Sequence, residues 1–204
     1  MKTSSILGLT FAAVLLLASC GNKEENTSEQ IEESENPADA LQALADKAKE
    51  MGKREAVDPI DFRKLKELMP ENLIGLKRTE ATGEKSGAMG FTVSTAQARY
   101  EGENNASLKV EIVDTGGIAG VSTMALATWS MAEIDKETTD GYEKTTQLEG
   151  YKAFEKYNNT DKSGEINVLV ADRYVVNVEG DNVSVDQLKE ALKDIDLKEL
   201  AGLK

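Results

Sequence analysis

After residue 20 the chain contains neither a cysteine nor a histidine. Its single cysteine is Cys20 and it has no histidine at all, so no internal disulfide can form. The commonest transition-metal ligand and the commonest general base are missing as well. Whatever folds here is held by packing and hydrogen bonds alone, and needs a core large enough to offset the entropy of ordering the chain. Small scaffolds stapled by disulfides or structural zinc are excluded. Residues 36–204 suffice for one domain and are short for two, and no internal repeat divides them.

The first twenty residues account for the cysteine. Met1-Lys2 gives a positive start, residues 6–17 form an uncharged apolar run, and Leu17-Ala18-Ser19 lead into Cys20. The run is shorter than the ~20 residues a permanent membrane helix needs, and it suits the central part of a secretory signal. An ordinary cleaved signal would end in a small-x-small site and would leave a free thiol behind. The stretch resembles the lipobox of bacterial lipoproteins, where a dedicated peptidase cuts before a cysteine already carrying a diacylglyceryl thioether. That resemblance implies a signal peptide over residues 1–19 and a mature chain beginning at lipidated Cys20. Its acyl chains, palmitate among them, would hold the protein to a membrane. Gly21 lacks the aspartate that retains enterobacterial lipoproteins at the inner membrane, so the outer membrane is expected. Asn22-Lys23-Glu24-Glu25 resembles the signal that sends lipoproteins of the Bacteroides–Flavobacterium group to the cell surface, and it also reads as the plain start of an acidic linker.

Without Lys2, the 24 basic side chains become 23 against 37 acidic ones, a net charge of −14. A chain so acidic repels the phosphates of nucleic acid. Residues 20–35 hold six glutamates, with Ile31 as the one sizeable apolar side chain. They cannot bury enough surface to fold and are expected to be a disordered tether, reaching roughly 20–25 Å.

Hydrophobic periodicity and turn signals organise the rest into a single domain, residues 36–204. Asn36-Pro37 starts a helix with a thin apolar stripe, Leu41, Leu44, Ala48 and Met51, expected to be shallow and loosely docked over residues 36–53. Asp58-Pro59 repeats the start signal for a helix that Pro70 ends. Strands are expected at residues 74–81, 91–100, 107–113, 143–148, 151–157, 165–170 and 173–179, joined by short polar turns of the kind that link antiparallel neighbours. Residues 116–131 carry Ile118, Val121, Met124, Ala125 and Trp129 at helical spacing. Ser184 with Gln187 forms a capping box for a closing helix, and Asp196 with Glu199 caps a last turn. The element order predicts an α+β fold, an antiparallel sheet with helices packed on it, preceded by the tether. It resembles the Mog1/PsbP-like arrangement over roughly residues 60–200, in element order only.

Four patterns bear on chemistry. Ile112-Val113-Asp114-Thr115-Gly116 resembles the active-site turn of aspartic proteases, where two carboxylates share a proton. One copy is present, and Gly117 stands where that family has serine or alanine. The plainer reading is a strand end whose glycines let the chain turn. Residues 159–164 mimic half a calcium loop, but Val170 stands where the bidentate glutamate belongs, so a polar hairpin turn is expected. Tyr142, Tyr151, Tyr157, Tyr174 and Trp129 fit a ligand groove or, better, core and strand pairs. No spacing couples Ser122 or Thr123 to Lys85 or Lys144 as a nucleophile and base. The sequence therefore points to a membrane-anchored, non-catalytic binding or scaffolding module, monomeric, without cofactor or metal. Its partners are the membrane, through Cys20, and an envelope protein. The alternative is an envelope hydrolase of aspartic type using Asp114.

Overall fold

The computed structural model describes residues 57–88, 91–117, 129–130 and 132–204. The expected signal, tether and first helix, the lipidation site Cys20, and Ser122 and Thr123 lie outside the described residues, as does the helix expected over 116–131 apart from its ends. All described residues belong to one unit, Asn36–Lys204.

Nine strands form one antiparallel sheet: β1 (Asn72–Leu73), β2 (Leu76–Ala88), β3 (Phe91–Glu101), β4 (Ser107–Asp114), β5 (Asp135–Glu137), β6 (Gly141–Leu148), β7 (Tyr151–Asn158), β8 (Ser163–Val170) and β9 (Tyr174–Asp181). Their spatial order is β1-β2-β3-β4-β9-β8-β7-β6-β5. Two meanders are thus joined along their last strands, β4 to β9, with Ser107 opposite Asp181 and Asp114 opposite Tyr174. Antiparallel pairing follows from the short connections, which cannot carry a crossover. The two-residue β6–β7 turn places Glu149 and Gly150 at positive φ, as the twist of such a hairpin demands, and the three-residue β8–β9 turn, 171–173, has Ala171 and Asp172 there.

Strands β1 and β5 are additional to the seven expected, and β2 departs most from its expected bounds. Ile74 and Gly75 are the turn between β1 and β2 rather than the start of a strand. β2 then runs past residue 81 to Ala88, through Gly83 and Gly87. Gly83 is in the strand because the Phe62 ring lies against it: a Cβ there would fall 2.5 Å from a ring carbon.

Among the described residues three α-helices of a full turn or more pack on the sheet. α1 (Phe62–Glu67) begins at Asp61, whose carboxylate accepts the Arg63 amide, and not at the expected Asp58-Pro59. α2 (Val185–Lys193) has both arms of the capping box between Ser184 and Gln187. α3 (Leu197–Gly202) starts where Asp196 accepts the Glu199 amide. α1 lies on β2 and β3, while α2 lies on β8 and β9. Between them, Leu65, Leu68, Leu188, Leu192 and Leu200 meet Ala98, Tyr100, Val110, Ile112, Ile166, Val168, Val176 and Val178, all buried. The alternation of β4, with every second residue buried, is the period of a strand whose one face is core.

The opposite face is wetter and carries the end of the β4–β5 crossover. Trp129 stacks on Phe154 of β7, ring centroids 6.2 Å apart. The Ile134 amide then donates to the Thr145 hydroxyl of β6.

Candidate functional site

Asp114 closes β4 with its side chain on the helix face, and none of it is exposed. Its carboxylate accepts four hydrogen bonds. Oδ1 takes Arg173 Nε and the Gly116 amide, both at 2.8 Å. Oδ2 takes Arg173 Nη2 at 2.7 Å and the Ile60 amide at 2.8 Å. The two-pronged pairing with Asp114 holds the Arg173 guanidinium above its usual pKa, against a burial effect of opposite sign. The other two residues of the turn are committed as well. The Thr115 hydroxyl and amide both donate to the Arg173 carbonyl. Gly116 has φ +66 and lies so close to the incoming chain that a Cβ would fall 2.5 Å from the Val57 carbonyl oxygen. Aspartic catalysis needs a second carboxylate on the first. The polar atoms that bond to Asp114 are nitrogen donors, and none of them belongs to a second carboxylate.

Among the described residues the other buried carboxylate is Glu155 on β7. Tyr142 of β6 donates its hydroxyl to Oε1. Lys189 of α2 lies 3.0 Å from Oε2, and Lys144 of β6 lies 3.6 Å from Oε1. Burial pushes the Glu155 pKa up, but the bonds from Tyr142 and Lys189 and the two ammonium charges outweigh it and leave the carboxyl below its ordinary range. Tyr142 moves the other way: burial first, then the bond to Glu155 and its charge, raise the phenol. The cluster therefore fixes one ionised carboxylate and fastens α2 to the sheet.

The remaining candidates are placed plainly. Of residues 159–164, the first four form the β7–β8 turn and Ser163 and Gly164 open β8; Asn158 Oδ1 accepts the amides of Thr160 and Asp161. Tyr157 and Tyr174 are buried, their hydroxyls donating to the carbonyls of Val183 and Leu203. Tyr142 and Tyr151 are partly buried against the core, and Trp129 lies on the other face. Strand register sets Lys85 opposite Ser94, a pair the sequence does not suggest. Their side chains do not meet: Lys85 Nζ is bound to Asp58 and the Pro59 carbonyl, and the buried Ser94 hydroxyl has no partner. Lys144 is held by Glu155. Among the described residues no three acidic, histidine or cysteine side chains are arranged to hold a metal ion.

What stands open is a row of charges on the face away from the helices. Register aligns Lys136, Glu143, Lys156, Glu165, Glu179, Lys109, Arg99 and Glu80 across eight strands from β5 to β2. Opposite charges pair along it, Lys156 with Glu143 at 3.4 Å, Lys109 with Glu179 at 3.0 Å and Arg99 with Glu80 at 3.4 Å. At its centre Glu165 and Glu179 face each other directly, a like-charge contact that costs stability in a sheet.

Comparison with protein-family models, with curated proteins and with solved structures finds no match for this chain.

Proposed function

We propose that the chain is an envelope lipoprotein whose folded part is a non-catalytic binding or scaffolding module. In this reading acyl chains on Cys20 anchor it, to the outer membrane rather than the inner, and residues 20–35 remain an unfolded acidic spacer. The lipobox-like leader and the commitment of Asp114 to four donors both support it.

The observation that carries the reading is the charged row. Eight charged side chains in register make a surface with a fixed pattern of sign, which gives specificity and fast encounter more than raw affinity. The opposed Glu165 and Glu179 are the place where a partner's lysine or arginine gains most. The partner is accordingly an envelope protein with a basic surface.

Cross-linking in intact cells, followed by mass spectrometry, tests the reading. A reproducible partner is expected with the natural chain and not with Glu165→Lys/Glu179→Lys. Cys20→Ser should abolish acyl labelling and leave uncleaved precursor. Membrane retention of Cys20→Ser at mature size would remove the anchor. A partner unaffected by the charge reversal would remove the surface.

A further inference from the structure

The Asp-Thr-Gly turn gathers three segments that are far apart in sequence and adjacent at one end of the sheet. The first is segment 57–60, which leads into α1. The second is the exit of β4 at residues 115–117, which leads into the crossover. The third is the β8–β9 turn at residues 171–173. One carboxylate bonds to all three: to the Ile60 amide, the Gly116 amide and the Arg173 guanidinium. Two further links close the triangle, Val57 amide to Gly116 carbonyl at 3.0 Å and Thr115 amide to Arg173 carbonyl at 3.3 Å.

The entering segment has no helix or strand of its own. Apart from Ile60 and Pro59, which are buried, it is held by these bonds and by Lys85, which binds the Asp58 carboxylate at 2.9 Å and the Pro59 carbonyl at 3.0 Å. Asp58 is 83% exposed, so that ion pair is weak. With two of its four residues exposed and no place in a helix or in the sheet, the segment is less secured than the strands and opens before the sheet does. Withdrawing Ile60 takes one donor from a fully buried carboxylate, which weakens the hold on the other two segments in turn.

We propose that residues 57–60 are a strap whose seating is coupled, through Asp114, to the β4 exit and the β8–β9 turn, so that the three open and close as one unit. A displacement of residue 57 is thereby felt at residues 115–117, the start of the β4–β5 connection. Coupling of this kind is reciprocal. It stands on the geometry around Asp114 and holds whether or not Cys20 carries lipid.

Amide hydrogen exchange of the full-length chain in detergent micelles, read at single-residue resolution, tests it. Lys85→Gln loosens the strap without touching the carboxylate. It should speed exchange of the Ile60, Gly116 and Thr115 amides by a common factor of about two to five, the range of a partly exposed ion pair. The Val110 and Val178 amides should not change. Ala171→Gly, which relieves a positive φ of 51° in the distant turn, should slow Ile60 and Gly116 together. Acceleration confined to Ile60, no change at any of the three, or equal acceleration at Val110 and Val178 would overturn the coupling, as would an Ile60 rate indifferent to Ala171→Gly.

Discussion

Replacing Asp114 by asparagine keeps the shape of the side chain and removes its charge. Two of its four bonds come from a guanidinium, and charge-assisted bonds contribute about 1.5–3 kcal/mol each. The amide nitrogen of the new side chain would also point at donors, leaving at least one buried N–H unpaired. Arg173, only 16% exposed, would keep its charge without a counter-ion. Breaking a buried pair from one side costs about 3–5 kcal/mol, much of the roughly 5–15 kcal/mol that holds a typical domain together. Arg173→Met should cost a similar amount by stranding the carboxylate. The double variant strands neither charge, so its cost should fall about 2 kcal/mol short of the sum. Urea unfolding followed by circular dichroism and by the fluorescence of the single tryptophan, Trp129, gives the numbers. With a slope of about 2 kcal/mol/M, each single variant should lower the midpoint by about 2 M. Single costs below about 1 kcal/mol, or additivity within about 0.5 kcal/mol, would refute the assignment of Asp114 as a buried tie.

Gly116→Ala should destabilise the fold by about 1–3 kcal/mol, because the new Cβ meets both a positive φ and the Val57 carbonyl; an unchanged melting temperature would count against the close approach. Glu155→Gln should be less stable than the natural chain at pH 7, by about 1–3 kcal/mol. The Glu155 carboxyl stays ionised in the fold below its ordinary 4.5, so its contribution is whole above that value and is lost as the pH falls beneath it. The two chains should therefore converge in urea midpoint as the pH is taken below 4.5, and a constant gap would contradict the cause given for the shift.

Much of the sheet was legible because strand and turn signals are local. β4 alternates buried and half-buried side chains without interruption, and β6 to β9 fall within two residues of the expected bounds. The errors have physical causes. Residues 82–88 hold two glycines, and nothing in the strand itself says that Phe62 will lie on Gly83. Asp58-Pro59 has the composition of a helix start, but Asp58 is drawn to Lys85 and the cap falls to Asp61. The candidate site was legible only as a motif. Asp114-Thr115-Gly116 stands out in the sequence, whereas the partner that fixes its meaning, Arg173, is 59 residues away. The charged row was invisible for the same reason: its members come from eight strands and meet only through register.

The sheet has one pairing that local sequence cannot bring about, and Asp114 stands at its end. Within each meander neighbours are joined by short connections, but β4 and β9 meet across some sixty intervening residues, and closing that loop is the slow, costly step of such a topology. Register matters most there, since a slip of one residue would turn every side chain of a strand to the wrong face. Val110, Ile112, Val176 and Val178 oppose a slip by being apolar, but a two-residue slip would keep them inside. The Asp114 carboxylate is not tolerant in that way. Its two oxygens fit one guanidinium, at Arg173, beside Tyr174, which is the residue that pairs with Asp114 itself. A slip of two in either direction would bury both charges apart. A turn that resembles catalytic machinery thus has a sufficient physical reason to exist in a chain without histidine: it sets the register of the central strand pair and fastens the entering chain to it.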